Sequence, residues 1–332
     1  MDLKRVKMIA IKEIRDHITS RRFTILLFLM LVVCGYYVIN EIGDYYDAIE
    51  SYAQYGDFSY IPSVMNIFLG INRGISGYSI FGIIIAVALG FDLFTKERET
   101  GSIKAILSMP VYRDEVINGK ALGGIITIAI ATMTVFVITL AILLLCSIVP
   151  EINEFGYIFV FWIITTIFLS GVFLMSMMVS TFSKSSGISL IYSLLLLLLI
   201  TSFIYTVGTS AVDSILGPTP IITANNSDMT NYDAMREQLT SYNEKRSNMM
   251  DFVRMVSFDN NYYLLSDAII NPQENRFYDS LQSGGDDSGK DNGIPDLTTI
   301  LTDMWGNLVF LIFYPVFFMG IAYVKFMRID LR

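Results

Sequence analysis

The sequence predicts an all-α polytopic membrane protein with six transmembrane helices. Of its 332 residues, 53% are hydrophobic and only 16% are charged, whereas soluble domains carry about 25% charged residues. The apolar residues also lie in long uncharged runs, and a helix needs about 20 residues to cross roughly 30 Å of hydrocarbon. The six runs are residues 23–40, 74–91, 121–150, 155–183, 185–212 and 304–324. A further apolar stretch at 61–71 is too short to cross, and we expect it to lead into the second helix or to lie at the interface.

The remaining segments fall on the two sides of the membrane. We expect a cytoplasmic amphipathic helix at 1–22, helices one to five at 23–207 with an inner loop at 95–120, an outer helical domain at 208–303, the sixth helix at 304–324 and a cytoplasmic tail at 325–332. With a cytoplasmic N-terminus, the inner segments hold 16 of the 23 Lys and Arg residues. The outer segments then hold 22 of the 31 Asp and Glu residues. The positive-inside rule therefore predicts that both termini are cytoplasmic. We expect the protein to lie in the plasma membrane.

Composition excludes several classes of function. The six runs contain no ionisable residue, whereas transporters driven by protons or sodium ions use such groups inside the membrane. The single histidine, His17, precedes the first run, so the histidine pair of a zinc protease cannot form. The net charge of -8 gives no basic footprint for nucleic acid. Energy for transport must then come from another protein, and we expect no catalytic residue, cofactor or metal in this chain.

The N-terminal segment predicts an amphipathic helix on the inner surface of the membrane. Six apolar residues cover one stripe of a helical wheel, and basic residues lie mostly elsewhere. The stripe consists of Leu3, Val6, Ala10, Ile11, Ile14 and Ile18. Such a helix is expected to contact membrane lipid, and it can also touch a partner protein.

The inner loop at 95–120 predicts two short helices under the bilayer. Ile103, Ile106 and Leu107 have the i, i+3, i+4 spacing of one apolar helix edge, and Pro110 ends that helix. A second short helix containing Val116 is expected to follow before the chain re-enters the membrane. A charged helix-turn-helix of this kind suits docking to a cytosolic protein.

The same loop carries a family resemblance. Glu97, Arg98, Glu99, Gly101, the apolar trio, Pro110, Arg113, Glu115, Gly119 and Lys120 resemble the inner-loop pattern of permease subunits of type-2 ABC exporters, in particular the subgroup with a long outer insertion between helices five and six. Tyr112 departs from the pattern, which commonly has a small hydroxyl residue there. The resemblance implies two cytosolic ATPase subunits that hold ATP and Mg²⁺, and a second permease subunit as homodimer or heterodimer. It also implies that this loop couples to the ATPase through Glu97, Arg98, Gly101, Ile103, Ile106, Leu107, Pro110, Arg113 and Lys120.

Two roles remain open for Glu97 and Arg98. Their position after the second helix lets them fix the angle of the loop by ion pairs, or bind the ATPase directly. Because exposed ion pairs contribute only about 0 to 1 kcal/mol, we expect Glu97→Ala to spare folding while weakening transport. The alternative function is a membrane scaffold or sensor whose outer domain binds a ligand or an assembly factor.

The outer segment contains one helix and several weaker patterns. Apolar residues alternate at spacings of three and four from Tyr232 to Val256, which predicts a helix whose seam packs within the permease, on a second subunit or on substrate. Residues 284–291 read GGDDSGKD but lack the Ser or Thr of a phosphate-binding loop. Calcium binding near Asp296 and glycosylation at Asn225 are further possibilities that the sequence leaves open.

Overall fold

The structure of this protein, a computed structural model, describes residues 2–55, 63–76, 80–101, 112–219, 229–271 and 296–328. Within these ranges the secondary structure is helical and contains no strand. The helices are α1 (Leu3–Ile18), α2 (Arg21–Tyr55), α3 (Leu69–Ile75), α4 (Phe81–Gly90), α5 (Thr95–Glu99), α6 (Arg113–Leu145), α7 (Glu154–Phe182), α8 (Ser186–Leu198), α9 (Ile204–Leu216), α10 (Met229–Val256), α11 (Phe258–Ile270), α12 (Leu297–Asp303) and α13 (Trp305–Met327). The predicted all-α polytopic membrane fold is confirmed.

Five helical segments are long and apolar enough to cross a membrane. They are Arg21–Gln54, Arg113–Leu145, Glu154–Phe182, Ser186–Leu216 and Trp305–Met327. The fourth of them joins α8 to α9 through a π-helical turn at Leu199–Phe203. These segments coincide with the first, third, fourth, fifth and sixth predicted spans. The third span begins at Arg113, so the second short helix expected before it is wrong, and that stretch forms the first turns of α6.

The second predicted span is not one continuous helix. The run 74–91 covers the last two residues of α3 and the whole of α4, and Ile80, which precedes α4, has a left-handed φ of 47°. The two helices together run antiparallel to α2: Gly70 lies against Val38, Gly74 against Cys34, and Asp92 pairs with Arg22. A Cβ at Gly70 would approach the Val38 backbone to 2.7 Å, so this close packing requires glycine. The apolar stretch at 61–71 was expected to lead into the second helix or to lie at the interface. Its described residues 64–71 lead into this segment.

An ion pair accompanies this broken segment. Arg73 of α3 donates to the Glu41 carboxylate of α2, and the Glu41 side chain is only 7% exposed. In the sequence, Glu41 and Arg73 lie outside the uncharged runs, because the first run ends before Glu41 and the second begins after Arg73. Because α2 extends to Tyr55 and α3 begins at Leu69, both charges instead belong to packed helices.

The segment between the fifth and sixth spans shares the packing of the bundle. On α10, Tyr242 donates to the Gly217 carbonyl oxygen at 3.1 Å and Arg246 to Asp213 at 2.9 Å, so the seam packs against the end of the fifth span. On α11, the fully buried Tyr262 ring stacks on Phe168 of α7 with centroids 4.3 Å apart. Consequently α11 belongs to the hydrophobic core that the membrane helices form.

Candidate functional site

A buried lysine joins three helices at the end of the bundle where α1 lies. Lys120 of α6 is 3% exposed, and its ammonium group donates to Glu13 of α1 at 2.7 Å. It also lies 2.7 Å from the carboxylate of Glu97 on α5. We call Glu13, Glu97 and Lys120 the charge triad. A buried charge is tolerated only when it is paired and hydrogen-bonded, and the triad meets this condition for Lys120.

Glycines bring α1 close enough to α6 to form the triad. A Cβ at Gly119 would lie 2.7 Å from Ile9, and one at Gly123 would lie 2.7 Å from the Cβ of Glu13. The small residues therefore allow the two helices to approach closely on either side of Lys120. The partner of this glycine pair is therefore α1.

The neighbouring Arg98 binds the end of a different helix. Its guanidinium group donates to the carbonyl oxygen of Ser183 at 2.6 Å and to that of Thr181 at 3.3 Å. These carbonyl groups lie at the C-terminus of α7, where backbone acceptors lack partners within the helix and a positive charge is favourable. Arg98 therefore attaches α5 to α7.

Glu99 binds the beginning of the following helix. Its carboxylate accepts hydrogen bonds from the backbone N–H and the hydroxyl group of Ser186, both at 2.8 Å. These bonds stabilise the ionised form, so the pKa of Glu99 is lowered from its ordinary value. The consecutive residues Glu97, Arg98 and Glu99 thus join the short helix α5 to α6, to α7 and to α8, and Lys120 extends the first of these contacts to α1.

The two ends of the inner loop are fixed as well. Gly101 has a φ of 69°, and its N–H donates to the Arg98 carbonyl oxygen, so it ends α5 in the left-handed conformation that favours glycine. Arg113, at the start of α6, donates to the Met327 carbonyl oxygen at 3.1 Å, at the C-terminus of α13. Gly101 and Arg113 therefore delimit the segment 102–111, which lies outside the described residues.

A second buried carboxylate anchors the N-terminus of the chain to α6. Glu115 accepts the backbone N–H of Asp2 at 2.8 Å and that of Tyr112 at 3.1 Å. The Tyr112 side chain is 67% exposed. The backbone of Tyr112 makes this contact, so the contact does not depend on the Tyr112 side chain.

The structure assigns the predicted coupling residues to two groups. Glu97, Arg98, Gly101, Arg113 and Lys120 make the contacts above, whereas Ile103, Ile106, Leu107 and Pro110 lie outside the described residues. The expectation that Glu97 forms only an exposed pair is wrong, because Lys120 is buried and the Glu97 side chain is 15% exposed. Sequence reasoning missed Glu13, although a carboxylate one turn from Ala10 on the packing face of α1 was a usable signal.

The patterns in the outer segment mostly lie outside the described residues, which include neither 284–291 nor Asn225. Asp296 is described, and its carboxylate accepts the Leu297 N–H at 2.9 Å and the Thr298 hydroxyl at 2.6 Å. It therefore caps the N-terminus of α12. Across the described ranges, no group of three or more His, Cys, Asp or Glu side chains is placed to hold a metal ion.

Comparison with known families decides the class of this protein. The family model of the ABC-2 family transporter protein matches residues 7–331, nearly the whole chain. The chain belongs to this family. An ABC-2 family transporter protein is a multi-pass membrane permease subunit of an ABC transporter, and it works with an ABC ATPase subunit. The resemblance seen in the inner loop is confirmed, while the outer-insertion subgroup stays a prediction. A comparison with curated proteins finds no match.

Proposed function

We propose that this ABC-2 permease is an exporter subunit of the plasma membrane, with both termini in the cytoplasm. It pairs with a second permease subunit, and two cytosolic ATPase subunits supply energy from ATP and Mg²⁺. The partition of 16 of 23 basic residues to the inner segments supports this orientation. In this orientation the charge triad, Arg98 and Glu99 lie at the cytoplasmic face, where an ATPase can act.

We further propose that the residues 95–120 transmit ATPase motion to the membrane helices. The observation that carries this proposal is the attachment of α5 by three consecutive side chains to α6, α7 and α8, and through Lys120 of α6 to α1. A displacement of the segment 102–111 moves α5, and the buried triad prevents α5 from sliding past α1 and α6. Arg98 and Glu99 carry the same displacement to the adjoining ends of α7 and α8. The loop thus passes its displacement to α1, α6, α7 and α8 at the same end of the bundle.

The decisive experiment measures coupling in the complex with its ATPase, reconstituted in lipid nanodiscs. Arg98→Gln removes the hydrogen bonds to α7 and is expected to uncouple ATP hydrolysis from the membrane subunit, so that hydrolysis by the complex approaches that of the ATPase alone. The matched control is Lys96→Gln, which also neutralises a cation on α5. Lys96 is exposed and forms no ion pair within the described residues, so this variant should retain full hydrolysis.

Crosslinking tests the location of the ATPase contact. A single cysteine placed between Ile103 and Leu107 is expected to crosslink to the ATPase subunit, and a cysteine at Ser241 of α10 is not. Unchanged hydrolysis by Arg98→Gln, together with no crosslink from any position between 103 and 107, would remove the coupling role. If the chain also failed to bind an ATPase, these results would favour the alternative function, a membrane scaffold or sensor.

A further inference from the structure

A serine of α7 accepts two backbone N–H groups at the break between α4 and α5. Helix α4 ends at Gly90, and helix α5 begins at Thr95. The Ser180 hydroxyl oxygen accepts the Phe94 N–H at 3.0 Å and the Thr95 N–H at 3.2 Å. Ser180 is fully buried and lies 86 and 85 residues from these two donors. The start of α5 is therefore held by a side chain of another helix.

These two N–H groups have no backbone acceptor within the described residues. In an uninterrupted helix they would donate to the carbonyl oxygens of Gly90 and Phe91. Here the Gly90 oxygen accepts the Leu93 N–H at 3.3 Å. The Phe91 oxygen accepts the Thr95 hydroxyl, also at 3.3 Å. A buried N–H group without an acceptor is unfavourable, so the break depends on the Ser180 hydroxyl.

The adjoining end of α4 packs directly on the backbone of α7. A Cβ at Gly90 would lie 2.6 Å from the Phe173 carbonyl oxygen and 2.9 Å from the Met177 nitrogen. The Ser176 hydroxyl donates to the Val87 carbonyl oxygen of α4 at 3.1 Å. This close contact fixes α4 on α7 at the turn that precedes Ser180. A change of direction beyond the end of α4 therefore moves α5 and leaves α4 in place.

We propose that Ser180 is a positioning residue for coupling, because its hydroxyl group keeps the break open and so fixes the direction of α5 relative to α4. This role rests on the proposed function, in which α5 carries the displacement of the inner loop. Arg98 and Glu99 attach the end of α5 to the bundle, and Ser180 attaches its beginning. With both ends held, a displacement of the segment 102–111 moves α5 as one body. Without the hydroxyl group, the two N–H groups are satisfied only if they return to the acceptors of an uninterrupted helix, which turns α5 toward the line of α4.

The direction of α5 is measured in the purified full chain by pulsed electron–electron double resonance between two spin labels. The labels are attached to cysteines that replace the exposed residues Lys96 of α5 and Val137 of α6. Val137 lies about 25 Å along α6 from Lys120, so the two labels are far enough apart for the method. Cys146 is replaced by serine, whereas the buried Cys34 is left in place. We expect one narrow distance distribution in the parent and a second, shifted population in Ser180→Ala.

Two further variants separate the hydroxyl group from packing. Ser170→Ala makes the same substitution at another buried serine of α7, whose hydroxyl group forms no hydrogen bond within the described part of the chain. Ser180→Thr keeps the hydroxyl group, and both variants should retain the single distribution of the parent. An unchanged distribution in Ser180→Ala would overturn the proposal. A second population in Ser170→Ala or in Ser180→Thr would also overturn it, because the cause would then be packing.

Coupling is measured in the complex with the ATPase in lipid nanodiscs. We expect Ser180→Ala to retain the bound ATPase and to bring hydrolysis by the complex toward that of the ATPase alone, whereas Ser170→Ala leaves it unchanged. Unchanged hydrolysis in Ser180→Ala, in a complex that Arg98→Gln uncouples, would overturn the positioning role. If Arg98→Gln also fails to uncouple the complex, the proposed function fails. The distance measurement, which needs no ATPase, then still decides whether Ser180 fixes the direction of α5.

Discussion

Removal of the Lys120 charge is the sharpest test of the charge triad. In Lys120→Met, the carboxylates of Glu13 and Glu97 lose the ammonium group that holds both at 2.7 Å. The two oxygen atoms are then at most about 5.4 Å apart, twice that distance. At an effective dielectric constant of about 20, two like charges at this separation repel by about 3 kcal/mol. Breaking a buried ion pair costs about 3 to 5 kcal/mol, which agrees with this value.

The assay is equilibrium unfolding of the purified protein in mixed detergent micelles. We expect Lys120→Met to lower the free energy of unfolding by about 3 to 5 kcal/mol. Adding Glu97→Gln to that variant removes the repulsion and should recover about 2 kcal/mol or more. The matched control, Lys96→Met, replaces an exposed lysine on α5 and should stay within about 0.5 kcal/mol of the parent. If the double variant is no more stable than Lys120→Met, or if the two lysine variants are equally mild, the triad does not stabilise this junction.

Three further outcomes are expected. Gly101→Ala should lower the free energy of unfolding by about 1 kcal/mol through its left-handed φ, since no atom of the described residues lies within 4 Å of the added Cβ. Gly43→Ala inside α2 should be neutral or stabilising, and equal values for the two variants in the unfolding assay would contradict this expectation. Because burial lowers the pKa of His17, the unfolded chain takes up a proton at a higher pH than the folded chain does. The free energy of unfolding should therefore fall as the pH drops below about 6.5. Measured between pH 8 and 5, this dependence on pH should be absent in His17→Asn. The purified chain alone should show no ATP hydrolysis above background, and turnover abolished by Lys290→Ala would contradict the assignment of the ATPase to a partner.

Orientation has its own measurement, because the contacts within the chain do not depend on it. Cysteines introduced at Ser241 and Ser283 are expected to react with an impermeant thiol reagent in intact cells, and a cysteine at Ser102 is expected to be protected. The two native cysteines give little background, since Cys34 is buried and both lie in spanning helices or at their ends. The opposite labelling pattern would reverse the topology and move the charge triad away from the ATPase.

The sequence by itself determined the class of the protein and the position of most spans. Five of the six uncharged runs coincide with spanning helices because the requirement is local: lipid excludes unsatisfied backbone groups, and about 20 apolar residues satisfy it within one segment. The inner-loop motif was recognised for the same reason, since its residues are close together in the chain. Its function as a junction was not readable, because each partner lies elsewhere: Arg98 binds a carbonyl group 85 residues away.

Only the tertiary structure decided the break in the second span and the composition of the charge triad. The break lies between α3 and α4, and α3 packs on α2 where Gly70 and Gly74 admit close neighbours, a contact that hydropathy does not register. Glu13 entered the site for a similar reason, since it lies 107 residues from Lys120 and reaches it only because Gly119 and Gly123 let α1 dock on α6. In the sequence, Glu13 and Lys120 look like ordinary charged surface residues. They become part of the site because the packed helices bury each of them beside the opposite charge.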